Sequence, residues 1–230
     1  MQSEEMKHSA TGALLVPAVI IIAFASGCGT VASIWPMAGG RSSVSISAGG
    51  PFANVGGVQL PIPYVVARYR YGITDQLGLY AGTHPLIAGF GTAGLEGGLT
   101  WHFIKQKGFV PCIGVGAGAI GFYEFDGGGG RSLLPTAEIT AAYMGKRSVA
   151  YAGVHTMCQL SPSFYMTYTP YVGQEYRLTR RLSVNVETRW YAAYEDNQPR
   201  AITFPLTIAN HGALGLVGGI NCLIGGWYVE

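Results

Sequence analysis

The feature that most constrains this chain is a strict alternation of apolar and polar residues along several segments of about ten residues. From Leu182 to Tyr191 the even-numbered positions are apolar apart from Thr188, and the odd-numbered positions are polar or tyrosine. Residues 93–103 and 64–71 repeat the pattern. Successive side chains of a β-strand point to opposite faces, so a period of two predicts strands with one apolar and one polar face.

Composition decides which face meets water. Charged residues make up only 11% of the chain, aromatic residues 12%, and 35 of the 230 residues are glycine. A soluble sandwich turns its polar face outward and carries more charge, whereas a membrane barrel turns its apolar face to lipid. Backbone groups in a bilayer must be paired internally, so a chain of strands can cross it only as a closed barrel. The sequence therefore predicts an all-β fold, a closed antiparallel up-and-down transmembrane barrel.

The first 28 residues predict export. Residues 13–24 form an apolar run that follows Lys7 and His8 and ends in Ala25-Ser26-Gly27-Cys28. A basic lead, a short apolar core and small residues before the cut are the anatomy of a signal peptide. The last four residues resemble the bacterial lipobox, which implies lipidation of Cys28, palmitate included. Ala25 stands where leucine is usual, so cleavage before Cys28 by the ordinary signal peptidase is the alternative.

Three segments follow from these features. Residues 1–27 are predicted to be the signal peptide, with translation starting at Met6 because Glu4 and Glu5 do not suit a basic lead. Residues 28–40 are predicted to be a linker after the lipid anchor. Residues 41–230 are predicted to form the barrel.

Turn residues predict the topology. Short polar connections near residues 74–76, 105–108, 145–147 and 178–181 alternate with longer Gly-, Pro- and Asp-containing ones near 50–60, 84–91, 124–132, 160–164 and 195–208. Short periplasmic turns and longer external loops alternate in outer-membrane barrels. About ten strands result, with eight as the alternative. They cover 41–49, 61–72, 77–83, 92–104, 109–122, 133–144, 148–159, 165–177, 182–194 and 209–223.

This spacing and length resemble the small OmpA-type and OmpW-type barrel proteins over most of the mature chain. The resemblance is carried by the pattern of strands and turns and by no sequence motif. It implies a barrel fold and the bacterial outer membrane. Together with the lipobox-like segment, it predicts a protein that is both membrane-spanning and lipid-anchored in that membrane. It implies no ligand, because barrels of this size host many functions.

The inward faces of the predicted strands carry the chain's charged groups. Four carboxylates and three arginines there balance closely in sign, which predicts paired, hydrogen-bonded networks that fill a narrow lumen. A functional polar path through the lumen is the alternative. The predicted lumenal network comprises Arg68, Arg70, Glu96, His102, Glu138, His155, Glu175, Glu187 and Arg189.

A catalytic site would have to lie at the external rim. The best acid–base pair there is His211 with Asp196 across the last external loop, since a general base needs a partner that orients it. His211 is followed two residues later by Ala213, so the His-x-Ser pattern of a deacylase-like barrel is missing. The solvated-loop interpretation is preferred, and no catalytic residue is predicted.

Other classes of function are disfavoured. A net charge of +2 without a basic stripe argues against nucleic-acid binding. Cys112, Cys158 and Cys222 are predicted to be free thiols at unmatched heights. No C-x-x-C or histidine-rich cluster occurs, so no metal and no cofactor are predicted. Basic residues at the short turns could meet anionic lipid head groups or an acidic partner of the envelope.

The sequence thus predicts an outer-membrane barrel lipoprotein with a structural or interaction role, or the role of a narrow pore. The alternative is an outer-membrane surface enzyme, a hydrolase with a rim active site. A lipocalin-like binder of lipid or another small molecule comes third. The membrane lipids and an envelope protein, reached through the external loops or the basic turns, are the predicted partners.

Overall fold

The computed structural model describes residues 34–55, 58–62, 64–125, 130–160, 163–196 and 204–224. The signal segment and Cys28 therefore lie outside the described residues. No helix in this part of the chain is long and apolar enough to cross a membrane. The elements are β1 (Ser42–Val55), β2 (Val58–Pro61), β3 (Val65–Gly72), β4 (Leu77–Thr83), α1 (Pro85–Ala88), β5 (Thr92–Ile104), β6 (Cys112–Glu124), β7 (Arg131–Met144), β8 (Ser148–Gln159), β9 (Tyr165–Arg177), β10 (Leu182–Asp196) and β11 (His211–Ile224).

Ten of these strands close on one another. From β3 to β11 each strand pairs antiparallel with the next one in the chain. β1 pairs with β11 from Ser42↔Ile224 to Pro51↔Gly215 and with β3 from Ser42↔Tyr71 to Ala48↔Val65. The predicted closed up-and-down barrel of about ten strands is confirmed, and the eight-stranded alternative is wrong.

The alternation seen in the sequence sets the two faces of the barrel wall. On β10 Glu187 is 1% exposed and its neighbour Val186 is 55% exposed. On β5 Glu96 is buried between outward residues such as Leu95. The outward side chains form an apolar belt around the barrel, which includes Val44, Ile46, Tyr69, Leu95, Leu99, Trp101, Ile139, Val172, Val186, Leu216 and Ile220.

The two ends of the barrel differ. Connections 73–76, 105–111, 145–147 and 178–181 lie at one end, here the turn end, together with the start of β1 and the end of β11. The other connections, which include α1 and are mostly longer, lie at the opposite end, here the loop end. The predicted alternation of short and long connections is found except at 105–111, which is longer than 125–130 and 160–164.

Several strand boundaries differ from the prediction, those of β1, β3 and β6 the most; β3 begins at Val65 and not at residue 61. The Gly- and Pro-containing stretch after residue 49 was expected to be a loop, but β1 continues to Val55 and pairs with β2 from Phe52↔Pro61 onward. Pro51 has no N–H, yet its carbonyl accepts a hydrogen bond from the Ile62 N–H at 2.8 Å, so pairing continues past it. β6 begins at Cys112 and not at residue 109.

Candidate functional site

The turn end of the lumen is filled by residues 34–37, which precede β1 and are here called the N-terminal plug. Ile34, Trp35 and Met37 are buried. Ile34 and Trp35 belong to the same apolar cluster as Tyr151 and Tyr171, which face inward from β8 and β9. Part of the predicted linker 28–40 is therefore packed inside the barrel.

Polar contacts hold the plug in place. The Ile34 N–H donates a hydrogen bond to Glu175 Oε2 at 3.3 Å, and Arg70 Nη2 donates one to the Trp35 carbonyl at 3.3 Å. The Arg177 guanidinium lies 3.4 Å from the centroid of the Trp35 ring, within cation–π distance. Backbone and ring of the plug are thus bound to charged groups of the wall. Sequence reasoning missed this contact, although the apolar run Ile34-Trp35-Pro36-Met37 was a signal that this segment is buried.

A second cluster lies at mid-height. Arg189 Nε donates a hydrogen bond to Glu187 Oε1 on the same strand, and its guanidinium stands 5.1 Å from the centroid of the Tyr171 ring. The Tyr171 hydroxyl donates to Glu138 Oε1 and is also hydrogen-bonded to the Thr140 hydroxyl. The buried charges here have partners, as buried charges generally require.

A third cluster lies toward the loop end. Arg68 Nε donates a hydrogen bond to Glu96 Oε1 at 2.6 Å, and both side chains are buried. His84, which precedes α1, is 1% exposed and places its Nε2 3.7 Å from Glu96 Oε2. Its ring also packs against Tyr64 and Phe122, with centroids 4.9 and 5.6 Å apart. His84 therefore closes the loop end from within and is not available to solvent at the rim.

The electrostatics of His84 follow from this burial. Desolvation lowers the pKa of the imidazole below its ordinary value, the Glu96 carboxylate opposes that shift, and the Arg68 guanidinium adds to it. Desolvation is the largest effect, so the ring is neutral at pH 7. A neutral ring suits a position between two aromatic side chains.

Two small cavities lie between the clusters. One cavity of about 30 Å³ is lined by Arg70, His102 and Glu138 among others, and a second of about 20 Å³ by Tyr80, His155 and Glu138 among others. Each has room for about one water molecule. Both cavities are lined in part by inward glycines of β6, Gly114 and Gly116.

Tyr80 fills much of the space above the inward glycines of β5 and β6. A Cβ placed on Gly98 or Gly118 would lie 2.6 or 2.5 Å from the Tyr80 hydroxyl oxygen. It would also lie 2.4 or 2.5 Å from a backbone carbonyl oxygen of the neighbouring strand, so neither position admits a side chain. Tyr80 thus lies between these glycines, beside the 20 Å³ cavity.

The structure brings the predicted lumenal residues into three groups. Arg68 pairs with Glu96, and Arg189 with Glu187. Arg70 and Glu175 both hold the N-terminal plug. Glu138 accepts from Tyr171, which sequence reasoning did not include. His102 and His155 are half-buried and line the two small cavities without joining either ion pair.

The rim pair proposed as the catalytic alternative also comes together. His211 Nδ1 lies 3.1 Å from Asp196 Oδ1, with side chains 43% and 72% exposed, but the described residues provide no hydrogen bond to Nδ1. A bulge after Tyr191 shifts the register of β10 and re-aims Asp196 toward His211. Ala209 and Asn210 have positive φ, 50° and 64°, as the central residues of a type I′ turn require. This turn positions His211.

Other candidate groups do not form sites. Cys112, Cys158 and Cys222 are free thiols in the structure. Across the described ranges no cluster of three or more His, Cys, Asp or Glu residues could hold a metal ion. The basic residues of the short turns are exposed at the turn end: Lys105, Lys107, Lys146, Arg147, Arg180 and Arg181.

Comparison with known proteins yields similarity of architecture only. No family model matches the sequence, and no curated protein matches it. Among solved structures, the chain is similar to an outer membrane channel from Pseudomonas putida F1 (TM-score 0.47, 10% identity, covering 85% of this chain and 100% of that chain). It is also similar to the NanC porin (0.43, 13%, 81% and 100%) and to the outer membrane protease OmpT from Escherichia coli (0.41, 9%, 84% and 97%). These structures are outer-membrane β-barrel proteins of different activities, so they assign no role to this chain.

Proposed function

We propose that this chain is an integral outer-membrane β-barrel protein with a closed lumen and a structural or interaction role in the cell envelope. The observation that carries the proposal is the N-terminal plug, which is bound inside the barrel by Glu175, Arg70 and Arg177. Above the plug the ion pairs Arg189–Glu187 and Arg68–Glu96 fill the lumen. A barrel filled in this way anchors a protein in a membrane and does not conduct ions.

Membrane insertion is supported by the outer surface. The apolar belt exposes large side chains on strands all around the barrel, while charged side chains in the middle of these strands, such as Glu96 and Glu187, are buried inside. Monomeric soluble proteins rarely expose apolar patches larger than a few hundred Å². Hydrocarbon is the medium in which such a belt is stable, and strands closed into a barrel leave no backbone group unpaired there.

Single-channel recording in planar bilayers tests the closed lumen. We expect the wild-type protein to show no steady conductance. Trp35→Ala, which removes the ring under Arg177, should show openings. Phe109→Ala is the matched control, because Phe109 is a 96% exposed aromatic residue at the same end of the barrel. Steady conductance of the folded wild-type protein would refute the closed lumen and assign the narrow-pore role instead.

The turn end is proposed to face the periplasm, where its exposed basic residues can meet anionic lipid head groups or an acidic envelope partner. In cells, a cysteine at exposed Lys146 should resist a membrane-impermeant thiol reagent, whereas a cysteine at Phe90, 78% exposed at the loop end, should react. The reverse result would invert the orientation.

Export and lipidation of Cys28 remain part of the proposal, although this residue lies outside the described residues. Ile34 sits at the turn end, six positions after Cys28, so a lipid there would be close to the periplasmic face. Cys28→Ala should abolish incorporation of a fatty-acid probe and leave the barrel folded. Persistent labelling of that variant would contradict lipidation at Cys28.

A surface hydrolase is the second candidate function, because the structure brings His211 within 3.1 Å of Asp196 at the loop end. An acid that orients an imidazole is the arrangement a general base needs. In the described residues, however, no serine, threonine or cysteine side chain is bonded to that ring. The lipocalin-like binder has less support, since the lumenal cavities are about 30 and 20 Å³.

A further inference from the structure

A groove of about 330 Å³ lies outside the barrel, between the β1–β2 hairpin and the wall. Its floor includes Val186 and Leu216, which are 55% and 38% exposed and belong to the apolar belt. Gly218 has the same parity on β11 as Leu216, so it also faces outward. The opposite wall of the groove is formed by Phe52, Gln59, Leu60 and Pro61 of the hairpin.

Small residues create the depth of this groove. Gly218 has no side chain on the floor, and a Cβ placed there would have its nearest contact, the Asn185 carbonyl oxygen, at 3.8 Å. At Gly49, where φ is +144°, a Cβ would lie 2.1 Å from the Leu216 carbonyl oxygen, so only glycine is accommodated. β1 therefore stays close to β11 at Gly49, and the hairpin beyond it overhangs the wall.

The surroundings decide what can occupy such a space. Its lining is almost wholly apolar, and apolar cavities stay dry because water finds too few hydrogen-bond partners there. An empty groove would forfeit the dispersion contacts of its lining atoms. Its volume is roughly twice the ~150 Å³ of an apolar cavity that takes up benzene. The groove is continuous with the apolar belt, so the medium at its mouth is the hydrocarbon of the bilayer.

We propose that this groove is a binding site for one acyl chain of a membrane lipid. The proposal rests on the membrane location proposed above. Because lipid tails are as apolar as the lining, the hydrophobic effect does not favour the groove over the bilayer. Binding is driven by packing of the chain between Phe52, Leu60 and Leu216, and it holds that lipid in place longer than its neighbours around the belt.

Photolabelling tests this site. The protein is reconstituted into vesicles of phosphatidylethanolamine and phosphatidylglycerol that contain a phosphatidylethanolamine with a diazirine in one acyl chain, and adducts are mapped by mass spectrometry. We expect adducts to concentrate on Phe52, residues 59–61 and residues 216–218, relative to Leu95 and Leu99 on another part of the belt.

Two glycine variants compare a side chain added inside the groove with the same side chain added elsewhere on the outer surface. Gly218→Leu fills the floor of the groove and should abolish the excess labelling of Phe52 and residues 59–61. Gly121→Leu is the matched control, since Gly121 also faces outward, opposite Leu95, and a Cβ there meets nothing closer than 3.9 Å. It should leave the excess unchanged. Both variants are first checked for the gel mobility of the folded barrel.

The outcomes separate this proposal from the membrane location. Uniform labelling of the whole belt, without an excess at the groove, would refute the acyl-chain site and would still support the membrane location of the barrel. No labelling of Leu95, Leu99 or the groove would refute the membrane location, and this site with it. A dimer by mass whose groove is unlabelled, beside a labelled belt, would assign the groove to a second copy of the chain and refute the lipid site.

Discussion

The lumen and the loop-end rim contain the same kind of pair in opposite surroundings. Arg189 and Glu187 meet inside the barrel with both side chains buried, whereas His211 and Asp196 meet at the rim with side chains 43% and 72% exposed. A buried charge that loses its partner is left without water, but an exposed one is rehydrated. The short distance at the rim therefore carries far less energy than the contact in the lumen. The lumenal pair therefore contributes to folding stability, whereas the rim pair would contribute to function only if it took part in catalysis.

The largest expected effect tests the lumenal side of that comparison. Arg189→Ala leaves Glu187 buried and uncompensated, so we expect it to lower the free energy of unfolding by about 3–5 kcal/mol. Urea titration of the refolded barrel, followed by its gel mobility, measures this change. Arg131→Ala is the control, because Arg131 is exposed on β7. A similar small change in both variants would mean that water fills the lumen.

A smaller loss of stability is expected from a substitution at Tyr171, which contacts both Glu138 and Arg189. Tyr171→Phe keeps the ring beside Arg189 but removes the hydroxyl that donates to Glu138 Oε1. The Thr140 hydroxyl still donates to the same oxygen at 3.4 Å, so we expect the free energy of unfolding to fall by only about 1 kcal/mol. The same titration measures it. Tyr176→Phe, on the outward face of the same strand, should be nearly neutral. Equal effects in the two variants would contradict a special role for the lumenal hydroxyl.

His84 lies between the lumen and the rim, and its burial predicts that the stability of the folded protein depends on pH. Its folded-state pKa is lowered by burial, so the unfolded chain takes up the proton first as the pH falls. The contribution of His84 to stability is fully present above about pH 6.5, the ordinary pKa of histidine, and is lost as the pH falls from there through the lowered folded pKa. Thermal unfolding of wild type and His84→Asn across this window measures the effect. A slope that is the same in both proteins would exclude His84 as its source.

The smallest effect is expected at the rim. A double-mutant cycle of His211→Ala and Asp196→Ala should give a coupling free energy of about 0–1 kcal/mol, the usual range for exposed pairs. If a strain that lacks the gene has an envelope defect, the double variant should correct that defect as well as the wild-type protein does. If a folded and abundant double variant failed to correct the defect, the hydrolase would become the favoured function.

Local pattern predicted most of the barrel. Nine of the ten predicted strands overlap the observed barrel strands closely because the period of two is a property of each strand by itself, as in Leu182–Asp196. The predicted strand 41–49 was too short, since glycines and Pro51 mark turns in most contexts. Only the pairing of Pro51 with Gly215 and of Phe52 with Pro61 extends that strand.

The candidate site was predictable in part. Alternation placed Arg68 and Glu96 on inward faces, but they are 28 positions apart, and no local rule states which inward groups meet. The plug could not be located, because a short apolar run before the first strand packs only when a lumen exists to receive it. Tyr171 was overlooked since tyrosine suits either face of a barrel wall.

The sequence by itself determined the strands, their two faces and the even number that closes the barrel, because these follow from alternation and turn chemistry within a few residues. Only the tertiary structure decided that Arg68 bonds to Glu96, that Trp35 lies under Arg177, and that the β1–β2 hairpin overhangs Gly218. Contacts across the lumen and over the wall depend on the register of ten strands at once. Each register is set by its neighbours and by barrel closure, and no single segment contains that information.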